Sequence, residues 1–205
     1  GPQKEAEVKS ALAEHHKVAA DLQPLEKKFS TLLPTDANKV VLAQYDAKQL
    51  YYLQFSNRGE KFDVAADPEI TLYNEYFGGG MNTIVFQEMR EARGLAYTAW
   101  ATLATPSNAN GDYSYYAFIA TQNDKMQKAV EAFDDIINNM PESEAAFKLA
   151  KEAVLTNLRT SRTIKDEVLW KYIANKDLGV TEDRNKAIFE KVQDMTFADL
   201  KAAQE

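Results

Sequence analysis

Y-N-E-Y-F-G-G-G-M-N-T-I-V-F-Q-E-M-R-E-A-R-G-L-A-Y, residues Tyr73 to Tyr97, is the stretch that decides how this chain folds. Gly78, Gly79 and Gly80 interrupt one helical pattern and open another, because three successive residues without a Cβ favour a sharp reorientation over continued helix. Upstream, Ile70, Tyr73 and Phe77 recur at helical steps behind Asp67-Pro68, where aspartate can cap orphan N–H groups and proline suits the first helical position. Downstream, Asn82 is placed to cap a helix whose inner stripe is Val85, Met89 and Ala92, ending at Arg93-Gly94 with glycine just past its end. A strand pattern starts at Leu95. Arg90 and Tyr97 therefore flank the Gly94 turn, which can bring a guanidinium and a phenol to one mouth of the fold.

Working outward, Val40–Tyr45 and Leu50–Ser56 are two β-rich runs joined by Asp46-Ala47-Lys48-Gln49, a strand–turn–strand pattern closed by Asn57-Arg58-Gly59. Leu95–Ala104 and Tyr113–Ala120 predict a second antiparallel hairpin across a loop of turn-forming residues at 106–112. From Asp124 the period becomes helical, with Met126, Ala129, Val130, Phe133, Ile136, Ile137 and Met140 on one face before Pro141. Further helices are expected at Glu142–Arg159, at Asp166–Leu178 and around Ile188, Phe189 and Val192, and Thr196-Phe197-Ala198-Asp199 resembles a capping box. At the other end, Val8, Leu12, His15, Ala19 and Leu22 predict an amphipathic helix over Gln3–Lys28, bent or ended at Pro24.

The expected fold is α+β, with helices packed on one face of a mainly antiparallel sheet. Residues 1–34 read as a lead-in that opens on a Gly1-Pro2 cleavage scar, and residues 35–205 as a single domain. The 205 residues can build a sizeable core, 45% of them being apolar and 11% aromatic. A net charge of -7, from 31 acidic and 24 basic residues, argues against a nucleic-acid partner or an anionic membrane surface. No apolar run approaches the ~18 residues of a membrane span, so membrane insertion is not expected. With no cysteine there is neither thiol chemistry nor a disulfide, and the compartment is left open.

Most catalytic constellations are missing. There is no H-x-x-E-H, G-x-S-x-G, phosphate loop or dinucleotide fingerprint. His15 and His16 lack a second ligand at helical spacing and read as surface or half-buried residues, with metal binding as the alternative. Ala11-Leu12-Ala13-Glu14-His15 matches H-x-x-E-H without its first histidine, a coincidence on this reading. The carboxylates of Asp134-Asp135 and of Glu142 and Glu144 fit solvated helix faces and ends. Arg90 and Tyr97 remain, as either surface and half-buried scaffold residues or a pair of donors. Such a pair has no acceptor base: it can hold a carbonyl or stabilise an oxyanion but cannot activate water.

The run G-G-G-M-N-T-I-V-F-Q-E-M-R-E-A-R-G-L-A-Y closely resembles the signature of the zinc-free half of the pitrilysin/insulysin family of zinc metallopeptidases, which includes mitochondrial processing peptidase. Looser agreement extends over residues 35–205, through Asp46–Leu50 and M-T-F-A-D-L near the end. The resemblance implies a substrate-binding domain that is inactive alone and serves a zinc metalloendopeptidase, with no cofactor in this chain and zinc in a catalytic partner half, on the same or another polypeptide. Arg90 and Tyr97 fall on the family's auxiliary Arg/Tyr pair, Tyr97 stabilising the tetrahedral intermediate and Arg90 holding a carbonyl of the peptide substrate. Gly78, Gly79 and Gly80 are counted with them as substrate-binding. Leu72-Tyr73-Asn74-Glu75-Tyr76 takes the place of the other half's metal-binding helix, with both histidines replaced. Family halves continue past T-F-A-D-L into a helix and a closing strand, so an edge strand is expected to be missing. A non-proteolytic structural or peptide-binding subunit of the same family is the alternative.

Overall fold

The two alternating patterns at residues 49–56 and 114–122 resolve into a sheet with two unlike faces. In the computed structural model, which describes residues 2–23 and 32–204, β1 (Gln49–Ser56), β2 (Thr98–Ala104) and β3 (Ser114–Gln122) form an antiparallel sheet in the order β1-β3-β2. The register sets Leu53 opposite Phe118 and Phe118 opposite Trp100. Because side chains alternate along a strand, Tyr52, Tyr115, Ala117, Ile119, Ala99 and Ala101 point to the helices and join the core. Tyr51, Leu53, Phe55, Trp100, Tyr116 and Phe118 point the other way, onto a face that no described helix covers.

On the core side, α2 (Asp67–Phe77) is central and packs on β2 and on α5 (Glu144–Thr160), α7 (Arg184–Asp194) and α8 (Phe197–Gln204). α4 (Met126–Asn138) lies on β3 and contributes Ala129, Phe133 and Ile136, all buried. Phe197 closes the bottom of this core edge-on to Tyr76 and Phe147, with ring centroids 5.7 and 5.5 Å away. The Tyr76 hydroxyl donates to the Pro141 carbonyl at 2.8 Å and accepts the Ser143 N–H at 3.1 Å, which fixes the α4–α5 connection. Tyr73 and Tyr115 bring their phenols together between α2 and the sheet, where burial pushes Tyr73 from its ordinary 10.0 up to about 12 and raises Tyr115 as well.

Local chemistry explains most boundaries. Ser143 caps α5 by accepting the Ala146 N–H at 3.2 Å, and Asp183 caps α7 by accepting the Asn185 N–H at 3.0 Å. The Thr196/Asp199 capping box forms, with the Asp199 carboxylate accepting from the Thr196 N–H at 2.7 Å. Gly179, with φ of +73°, ends α6 (Lys165–Asp177). Asn57, 1% exposed, bonds through its side chain to the Leu32 carbonyl and the Gly59 N–H, and its backbone carbonyl accepts the Thr35 N–H. The segment entering the domain is thereby fastened to the end of β1.

Four sequence expectations are corrected. Val40–Tyr45 forms no strand: Val40, Val41, Leu42 and Tyr45 are 86–91% exposed, and β1 pairs with β3 instead of with this run. β-branched residues favour a strand only where a neighbouring ladder accepts their backbone groups. The N-terminal helix α1 covers only Glu5–His15 and buries no residue, because its apolar stripe meets nothing among the described residues. Pro24 and the rest of the expected helix to Lys28 fall partly at 24–28, outside the described residues, as do Gly1 and Glu205. Asp67 does not cap α2. Ala66 holds that position after a 3-10 turn (Val64–Ala66), and the Asp67 carboxylate takes a bidentate bond from Arg184 at 2.6 and 2.8 Å. Asn82 gives way to Thr83 at the cap of α3 (Ile84–Phe86).

Candidate functional site

α3 passes without a break into a π-helical turn over Gln87–Ala92. Val85 and Met89, both fully buried, anchor this segment to the core, while Ala92 is exposed because the wider turn rotates it off the apolar stripe. The Met89 carbonyl accepts the N–H groups of Leu95 and Ala96 at 2.9 and 3.2 Å, and the Arg90 carbonyl accepts the Gly94 N–H at 3.2 Å. Gly94 has φ of +57°, the left-handed region that residues with a Cβ rarely enter, and this reverses the chain. Tyr97 then joins the sheet by donating its N–H to the Ala120 carbonyl at 2.9 Å.

The outcome is that Arg90 and Tyr97 meet. The Arg90 guanidinium carbon lies 5.2 Å from the Tyr97 ring centroid and 5.0 Å from that of Phe86, within cation–π range of both. Its Nε is 3.5 Å from a Glu91 carboxylate oxygen, an exposed pair that contributes little to stability. Tyr97 is 69% exposed and Arg90 also faces solvent. Both line an open cleft of about 330 Å³, together with Gln49, Gly94, Gln122 and Lys125. The Lys125 ammonium donates to the Gly94 carbonyl at 3.1 Å, so a 3-10 turn (Asn123–Lys125) ties down the Gly94 reversal. Gln49 comes from the start of β1, and Gln122 and Lys125 from the end of β3 and the turn after it, so no single spacing in the sequence marks the group.

The remaining expected site residues are elsewhere. Gly78, Gly79 and Gly80 do not line the cleft. A Cβ on Gly78 would lie 2.2 Å from the Ala101 carbonyl oxygen, whereas one on Gly80 would meet nothing within 4 Å. Gly78 is thus the residue that lets the end of α2 touch β2, and its carbonyl accepts the Ala101 N–H at 3.2 Å. Leu72 and Tyr76, expected from the resemblance to replace the histidines of a metal-binding helix, are 0% and 1% exposed core residues. His15 and His16 lie exposed at the end of α1, with His15 3.8 Å from Glu14. Among the described residues no three His, Cys, Asp or Glu side chains are grouped to hold a metal ion, and no helix is long and apolar enough to cross a membrane.

Helices stacked on one face of an antiparallel sheet make this an α+β domain. Residues 3–154 match the family described as the peptidase M16 inactive domain, and the chain belongs to that family. Its fold is similar to the peptidase M16 inactive domain from Pseudomonas fluorescens, with a TM-score of 0.62 and 18% identity over 78% of this chain and 37% of that one. A protease from Helicobacter pylori gives 0.65 and 14% over 98% and 49%, and the periplasmic protease PqqL from Escherichia coli 0.62 and 14% over 100% and 23%. At these identities the likeness is one of fold, and this chain spans half or less of each of those structures. No curated protein matches the chain in sequence.

Proposed function

We propose that this chain is the substrate-binding, zinc-free half of a two-half zinc metalloendopeptidase that degrades or processes peptides. The observation that carries the reading is the meeting of Arg90 and Tyr97 at an exposed cleft, across a π-turn and a left-handed glycine. A side chain on a fixed turn costs little to reorganise when charge develops beside it, which is what an oxyanion donor requires. Arg90 holds a carbonyl of the bound peptide, and the Tyr97 hydroxyl donates to the oxygen on which negative charge grows. Neither group is a base, so the water-activating zinc and its ligands belong to the other half, encoded on the same chain or a separate one. Residues 1–34 act as a lead-in and residues 35–205 as the domain core, a division favoured by an α1 that buries no residue, while the family match itself begins at residue 3.

The test is kinetic and uses the intact two-half protein. Tyr97→Phe and Arg90→Ala are each expected to lower turnover of a peptide substrate by on the order of 10²-fold, the effect of removing one preorganised oxyanion donor. Unchanged turnover returns both residues to the scaffold. Absence of H-x-x-E-H from both halves, with stable assembly and no hydrolysis, supports a structural subunit instead.

A further inference from the structure

The cleft and the uncovered face of the sheet are one surface. Gln49 and Gln122, paired across β1 and β3, border the cleft. Two residues along, the rows read Tyr51, Ala120 and Thr98; then Leu53, Phe118 and Trp100; then Phe55, Tyr116 and Thr102. None of these positions carries a charge. The rings are already in contact, with centroids 5.7 Å apart for Tyr51 and Phe118, 5.5 Å for Trp100 and Phe118, and 5.2 Å for Phe55 and Tyr116. Yet Tyr51 is 71% and Leu53 58% exposed. From Gln122 to Tyr116 the strand runs about 20 Å, the length of an extended peptide of roughly six residues.

At its end this floor meets two cations and no carboxylate. Arg90 and Lys125 both line the cleft, and no Asp or Glu does, although the chain as a whole carries -7. Among the described residues Glu91 is the acid held against Arg90, while Lys125 donates a hydrogen bond to the neutral Gly94 carbonyl. Backbone binding by the Arg/Tyr pair leaves Lys125 unused.

We infer that this surface takes an unstructured peptide whose C-terminal carboxylate seats beside Lys125, and whose apolar side chains, at alternate positions, lie on the Tyr51–Phe118–Trp100 floor. The inference rests on the proposed peptide-binding role and adds to it a terminus, a direction and a side-chain class. A carboxylate is the charge complement of the cleft, and a planar apolar floor rewards aromatic and aliphatic side chains without fixing a sequence.

The experiment measures binding of a fluorescently N-labelled hexapeptide alternating Phe and Ser to the whole chain, as the free acid and as the C-terminal amide. The free acid is expected to bind about tenfold more tightly, the scale of one charge-assisted pair at a partly exposed site. Lys125→Gln abolishes that ratio while the variant still melts cooperatively, since the bond lost to the Gly94 carbonyl is one exposed hydrogen bond. Tyr51→Ser weakens acid and amide alike. An amide carrying an internal Glu binds like the plain amide. Equal binding of acid and amide, a ratio that survives Lys125→Gln, or an internal Glu that substitutes for the terminus overturns the inference. Tyr97→Phe leaves the ratio intact, so loss of the carboxylate preference and failure of the oxyanion role in turnover are read separately.

Discussion

The two faces of the sheet contrast in a way that reverses simple expectation. The covered face carries Ala99, Ala101 and Ala117 beside Ile119, Tyr52 and Tyr115, while the uncovered face carries Tyr51, Phe55, Trp100, Tyr116 and Phe118. Size alone therefore does not sort residues into the core. On β2 small residues face the helices because the end of α2 touches the strand backbone at Ala101, leaving little room beside it. The large rings stand where nothing in the described residues competes for the space, and they shield one another. One face is specified by close packing and the other by what it can receive.

Substitution at the triple glycine should test this contrast with the largest effect. Gly78→Ala is expected to destabilise the fold by about 3 kcal/mol, because its Cβ would run into Ala101 backbone that cannot swing aside, whereas Gly80→Ala should be close to neutral. Denaturant titration of the two variants decides it, and equal losses would show that the glycines act through chain flexibility rather than contact. Next comes the Asp67–Arg184 pair, which ties α2 to α7 with Asp67 only 3% exposed. Arg184→Met should cost about 3 kcal/mol by stranding a buried carboxylate, and Asp67→Asn in the same chain should recover a good part of it.

Alkaline titration sharpens the comparison on the covered side. Neutral Tyr73 is favoured by folding, so its contribution is complete below its unfolded pKa of 10.0 and fades as pH rises towards about 12. The melting temperature should fall across that window, and Tyr73→Phe should flatten the fall. On the uncovered face, Tyr51→Ser should shift stability by no more than about 0.5 kcal/mol, since a residue already open to water loses little on truncation. A large loss there would mean that the aromatic floor is part of the folding core after all.

Much of this was legible from residue order. The periods of α2, α4, α5 and α7, the β2–β3 hairpin and the Thr196/Asp199 box all follow from local rules that the tertiary structure obeys. The signature around Gly78–Tyr97 points to the family and to the meeting of Arg90 with Tyr97. What stayed hidden depends on distant partners. Val40–Tyr45 has the composition of a strand but no neighbour to pair with. Asp67 sits where a cap is usual, yet an arginine 117 residues away claims its carboxylate. The π-turn at Gln87–Ala92 leaves no compositional trace, so the expected stripe runs true through Met89 and fails at Ala92. Lys125 faces the cleft only because two turns from different parts of the chain are tied together.

The sheet is also lopsided at its rims. Asn74 reaches from α2 to bond both the N–H and the carbonyl of Leu103, at 2.8 and 3.0 Å, and Gly78 takes the N–H of Ala101. A side-chain amide and a glycine carbonyl thus stand in for a fourth strand beside β2, while β1 has β3 on one side and, among the described residues, no strand on the other. Growth is possible in one direction only: any strand supplied by a longer version of this polypeptide, or by a neighbour, has to dock at β1 and would run past Tyr51 and Phe55 at the border of the aromatic floor.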